Sequence, residues 1–142
     1  DYFIATPRQS DSLTRSHERS RFSVAGTSIV YEQLGSEFAG HELTSFILHV
    51  PPGYKSETVK HEGEEIIYIL EGSILQIVDG HEYILKQGDS LHYLGDRPHS
   101  WSNTTDQPAR ILWTGKMLHS TTLGANSVRP SVTAARAPKE AG

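Results

Sequence analysis

The punctuation of this chain constrains it more than any other feature. From Thr27 to Thr114, short runs rich in Val, Ile, Leu, Tyr and Trp alternate with Gly, Pro and Asp breaks. No run carries a sustained helical period, so the pattern predicts strands separated by turns. The expected strands are 27–34, 42–50, 65–71, 74–79, 82–85, 90–93, 99–103 and 109–114. Glu71-Gly72-Ser73 and Asp79-Gly80 fall between neighbouring runs, and glycine there accepts the positive φ of a tight hairpin. Pro51-Pro52-Gly53, Gln87-Gly88-Asp89 and Gly95-Asp96-Arg97-Pro98 mark further breaks. Eight short strands without a helix predict an all-β fold, a sandwich or barrel. The run Glu65–Glu71 is apolar on both faces. One face can line an interior, and the other then needs a second sheet or a partner subunit.

The ends differ from the centre. Residues 1–21 are polar and predict a linker, and residues 118–142 are Ser/Thr/Ala/Pro/Gly-rich and predict a flexible tail around a domain at 22–117. Of 142 residues none is cysteine, which removes thiolate metal sites, disulfides and a cysteine nucleophile, and favours a cytoplasmic chain. No apolar run is long enough to span a membrane. The net charge of −4 is concentrated in residues 24–117, which hold six Lys/Arg against thirteen Asp/Glu. Such a body is a poor partner for phosphate backbones and favours a cationic small ligand.

Eight histidines are the chemical signal. His61 and Glu65 stand four apart, but Gly63 and the β-rich run that follows oppose a helix. In one extended strand they would lie about 13 Å apart, at ~3.3 Å per residue, too far to share an ion. The chain is therefore expected to bend near Gly63, with His61 ending one strand and Glu65 starting the next. In the second candidate segment, alternation places His99, Trp101 and Asn103 on one face. Gln76, Trp101 and Trp113 can face a cavity in the same way, with core packing as the alternative for the indoles. His41, His49, His81, His92 and His119 carry no motif and are expected at walls or surface. Glu62 and Glu64 read as a solvated turn, Asp89 as a turn cap, and Asn103 as an anchor for a neighbouring loop.

The spacing of Gly53, Val59, His61, Glu65 and Gly72, followed by Gly80, Gly88, His99 and Asn103, resembles the two motifs of the cupins. The likeness covers roughly residues 27–116. Lys86 stands where the family usually has proline. It implies a double-stranded β-helix, a jelly-roll barrel. Many cupins hold a divalent metal with three His and one Glu. Here the first His position is Val59, which cannot ligate. His61, Glu65 and His99 remain, a two-His-one-carboxylate set suited to Fe, Mn, Ni or Zn. The alternative is a metal-free polar wall in which the three bond one another or a ligand, joined by Gln76 and Trp101.

The longer strings His61–Gly72, Asp79–Ser90 and Arg97–Thr105 resemble the C-terminal half of bacterial regulators that pair a helix-turn-helix domain with a cupin. That likeness implies a homodimeric, effector-binding domain without catalytic activity. Operator DNA would be bound only through a domain preceding Asp1. The rival implication is a metal-dependent cupin enzyme, an oxygenase or isomerase.

Overall fold

The computed structural model describes residues 12–116 and the backbone of 120–122. Eleven strands follow a short 3-10 turn at Ser16–Glu18. They are β1 (Arg21–Ser23), β2 (Val30–Gln33), β3 (Thr44–Val50), β4 (Val59–His61), β5 (Glu64–Glu71), β6 (Ser73–Val78), β7 (His81–Lys86), β8 (Ser90–Leu94), β9 (His99–Ser102), β10 (Ala109–Gly115) and β11 (Ser120–Thr122). All pairings are antiparallel. One sheet runs β1-β2-β3-β10-β5-β8 and the other β11-β4-β9-β6-β7. This is the expected all-β jelly roll.

Each of the eight expected strands is present, with ends shifted by up to three residues. Asp79-Gly80 makes the tight turn between β6 and β7, with φ +53° and +82°. Three strands lie outside the expected set. Of these, β4 is the strand that the Gly63 bend requires. β1 begins at Arg21, inside the segment expected as linker. β11 falls where a flexible tail was expected and pairs Ser120 with His61. Three residues are too few for a period to be read from sequence, and these segments become strands because a neighbouring edge offers hydrogen-bond partners. The rest of the tail expectation, His119, and the linker as far as Asp11 lie outside the described residues.

The core lies between the sheets and includes Ile29, Tyr31, Leu48, Val50, Ile67, Ile69, Ile74, Leu85 and Ile111. Strand β5 alternates strictly at its centre. Ile67 and Ile69 are buried, whereas Ile66 and Tyr68 on the outer face are 43% and 40% exposed.

Asn103, fully buried, ties the loops at the end of β9. Its Nδ2 donates to the carbonyls of Val50 (3.2 Å) and Gln107 (2.8 Å). Its Oδ1 accepts from the Thr105 amide (3.0 Å) and hydroxyl (2.7 Å). Asn103→Ala strands these groups, and we expect a loss of about 2–4 kcal/mol in urea unfolding, since each buried orphan costs ~1–3 kcal/mol. A loss under about 0.5 kcal/mol, the range of an ordinary surface substitution, would show that water replaces the side chain.

Candidate metal centre and ligand cleft

The sharp return between β4 and β5 builds the site. Gly63 sits at φ +97°, and a Cβ there would stand 2.4 Å from the Lys116 carbonyl oxygen. A side chain is therefore excluded on both conformational and steric grounds. The bend is clasped by the loop before β9: the His61 amide donates to the Gly95 carbonyl and the Gly95 amide to the Gly63 carbonyl, both at 2.7 Å. His61 thus ends β4 and Glu65 lies at the start of β5, facing the same interior. His99 opens β9, and Val59 pairs with it across the sheet.

His61, Glu65 and His99 are buried, and one donor atom from each lies within 4.8 Å of the others. His61 Nε2 is 3.4 Å from Glu65 Oε2, and His99 Nε2 is 3.6 Å from Glu65 Oε1. Two donors bound to one ion at ~2.1 Å stand about 3.0–3.4 Å apart at octahedral or tetrahedral angles, so the His61 separation suits a shared cation and that of His99 lies slightly beyond it. Two further observations point the same way. Glu65 Oε2 is buried and has no hydrogen-bond partner among the described residues. His99 Nδ1 donates to the Arg97 carbonyl at 2.8 Å, which leaves the Nε2 lone pair aimed at the cluster. The donor set therefore fits a divalent metal, with Val59 in the same cleft as a non-ligating wall.

The other carboxylate oxygen is fully used. Glu65 Oε1 accepts from the Tyr93 hydroxyl at 2.7 Å and from Trp113 Nε1 at 2.9 Å. Gln76 Nε2 donates in turn to the Tyr93 oxygen at 3.2 Å. Burial, followed by the negative Glu65 and its hydrogen bond, holds the Tyr93 phenol well above its usual range, so it remains a donor. Trp113 was expected as core or cavity wall and proves to be both, bonding the carboxylate as well. Tyr93 was not singled out from sequence. The alternation of Leu91 and Tyr93 puts it on the inner face, but nothing in the sequence names its partner.

These residues line a narrow cleft with a cavity volume of about 30 Å³. Tyr31, Phe46, Leu48, Ile67 and Ile111 supply its apolar wall. Gln76 is buried in it, and Trp101 is half-buried with its ring 5.0 Å from that of Tyr54. His49 lies outside this cleft, bonded to Glu32 at 2.8 Å. His92 is exposed and bonded to Glu64 at 2.7 Å, and His41 and His81 are exposed. Glu62 and Glu64 are exposed, and Asp89 Oδ2 caps its turn by accepting from the Lys86 amide at 2.8 Å.

The chain is similar to known proteins in sequence and in fold. The chain is 39% identical over 67 residues to the HTH-type transcriptional regulator PuuR of Escherichia coli K12, covering 47% of this chain and 36% of that protein. It is 31% identical over 86 residues to the dimethylsulfoniopropionate lyase DddQ of Ruegeria pomeroyi, covering 58% of this chain and 42% of the lyase. The chain thus spans less than half the length of either relative. In fold it resembles the crystal structure of the Cupin_2 domain of an XRE-family transcriptional regulator from Enterobacter cloacae, at a TM-score of 0.59 and 21% identity, covering 65% of this chain and 99% of that one. Residues 46–115, the span from β3 through β10 that contains all three buried donors, match the cupin domain family, Cupin_2. Residues 46–115 therefore form a cupin domain.

Proposed function

We propose that this chain is the effector-sensing and dimerisation part of a cytoplasmic bacterial transcriptional regulator. The likeness to PuuR carries this proposal. The fold of the XRE-family cupin agrees with it. A small effector enters the cleft and contacts Trp101, Gln76 and the His61–Glu65–His99 cluster. The acidic body favours a cationic one. Operator DNA is contacted by a separate helix-turn-helix domain. Effector binding changes DNA affinity only as far as the two states bind the effector differently. The exposed outer face of β5, with Ile66 and Tyr68, is the surface we assign to the homodimer. Sedimentation should give twice 15.7 kDa, and a monomer at micromolar concentration would refute the dimer.

A metal-dependent enzyme is the alternative, favoured by the orphan Oε2 of Glu65 and the likeness to the lyase DddQ. His61, Glu65 and His99 would hold one Fe, Mn, Ni or Zn ion, which when bound supplies open positions for polarising a substrate. The protein's own part is to fix the carboxylate through Tyr93 and Trp113 and the imidazole of His99 through the Arg97 carbonyl.

Thermal-shift screening of small molecules, cations included, separates the two. A ligand at about 100 times its Kd adds ~2.7 kcal/mol of stability, a rise in melting temperature that is easily read. Trp101→Ala should weaken such a ligand by about tenfold or more, the scale of a lost aromatic anchor. A compound that is turned over, with loss of turnover on chelation, would replace the regulator by the enzyme. Stabilisation unaffected by Trp101→Ala would move the binding site elsewhere.

A further inference from the structure

The segment entering the barrel is attached to it in two ways. The first is electrostatic. Glu32 on β2 is 7% exposed. It accepts from Arg19 Nη1 at 3.2 Å, from Arg21 Nη1, and from His49 Nε2 at 2.8 Å. The His49 bond and then the Arg21 charge, against the opposing effect of burial, hold its carboxyl below the usual range. The second is aromatic. Phe22 of β1 stacks on Tyr31, centroids 5.1 Å apart, and meets Phe46 edge-on at 5.7 Å. Phe46 stacks on Trp113 at 6.1 Å, and Trp113 donates to Glu65. Tyr31, Phe46 and Trp113 all line the cleft.

We propose that β1 is a strap whose docking is coupled to the state of the cleft. The Arg19/Arg21–Glu32 latch holds it from outside, and the ring series Phe22–Tyr31/Phe46–Trp113 connects it to Glu65. This rests on the chain being a ligand sensor, for which a moving entry strand is the output.

The strap has the features of a releasable element. It pairs with β2 over only three residues and forms the edge of its sheet. Arg19 Nε is buried without a partner among the described residues, which offsets part of what the latch contributes. Short edge elements with few ladder bonds open well below the global unfolding energy. Coupling is reciprocal, so whatever rearranges Trp113 shifts β1, and release of β1 must be felt at Trp113.

Release from the latch end tests this without any ligand, and so independently of whether an effector is found. Glu32→Gln removes the acid between two guanidinium groups and lies outside the cleft. The Gln33 amide donates to the Ser20 carbonyl at 2.9 Å and reports the strap by hydrogen exchange. The Asp89 amide, bonded to Lys86 at 2.8 Å, reports the distant β7–β8 turn. In a Trp101→Phe background Trp113 is the single tryptophan and reports the cleft by fluorescence. The expected result is at least about tenfold faster exchange at Gln33, unchanged exchange at Asp89, and a red shift of Trp113 emission. Faster Gln33 exchange with unmoved emission overturns the coupling. Unchanged Gln33 exchange overturns the latch. Equal acceleration at Gln33 and Asp89 shows global loosening and overturns the strap as a separate unit. Phe22→Leu, which keeps the latch and shortens the aromatic contact, should shift Trp113 with less effect on Gln33; an unmoved emission there also counts against the ring series.

Discussion

The Gly63→Ala variant is expected to lose about 3–5 kcal/mol of folding stability in urea titration. Two costs add. A non-glycine residue at φ +97° carries ~1–3 kcal/mol of backbone strain. The new Cβ also meets the Lys116 carbonyl at 2.4 Å, a backbone atom next to β10 that no rotamer change can move aside. Relief requires β10 or the β4–β5 bend to shift, and both carry the cleft. Against a total of ~5–15 kcal/mol for a domain of this size, the variant should be close to unfolding at 37 °C. A loss under about 1 kcal/mol would mean that the bend relaxes, and that its geometry does not fix the positions of His61 and Glu65.

Removal of the His99 imidazole is expected to abolish metal retention. Wild-type protein purified without chelator or affinity-tag nickel should carry a divalent ion. His99→Ala should weaken binding by more than about a hundredfold, because even outer-shell changes cost ~10–100-fold at such sites. Tyr93→Phe, which deletes the 2.7 Å donor to Glu65 but no ligand, should cost about tenfold. Metal content measured by atomic emission checks all three. Metal retained fully in His99→Ala would place the ion elsewhere, and wild type free of metal after growth in replete medium would leave the three residues as a polar wall.

The strands that could be read from sequence are those with a burial period. In β5 and β6 alternate residues are buried, and Gly72 and Gly80 mark the turns. β1, β4 and β11, three residues each, are too short to show a period in sequence, and β4 and β11 pair with edges contributed by distant parts of the chain. The same division holds at the site. His61, Glu65 and His99 could be placed by motif spacing and by the geometric need for a bend at Gly63. The hydrogen bonds of Tyr93 and Trp113 to Glu65 could not, because alternation assigns a side chain to a face without naming its partner across 28 or 48 residues. Asn103 was legible as an anchor, although not as the anchor of Val50, 53 residues away.

The sheet order has a consequence for biosynthesis. Strand β10 is inserted between β3 and β5, so β1-β2-β3 joins β5-β8 only through residues 109–115. A ribosome adding ~5–20 residues per second exposes β5 for several seconds before β10 leaves the exit tunnel. Throughout that interval the edge of β5 that pairs with β10 is open, although β8 is already available to its other edge, and Glu65 lacks its bond from Trp113. The nascent chain therefore passes through a stage with an apolar strand open along one edge, a form prone to pairing with a stranger or to chaperone capture. The wall of the cleft, which includes Ile111 and Trp113, is complete only after β10 has been synthesised.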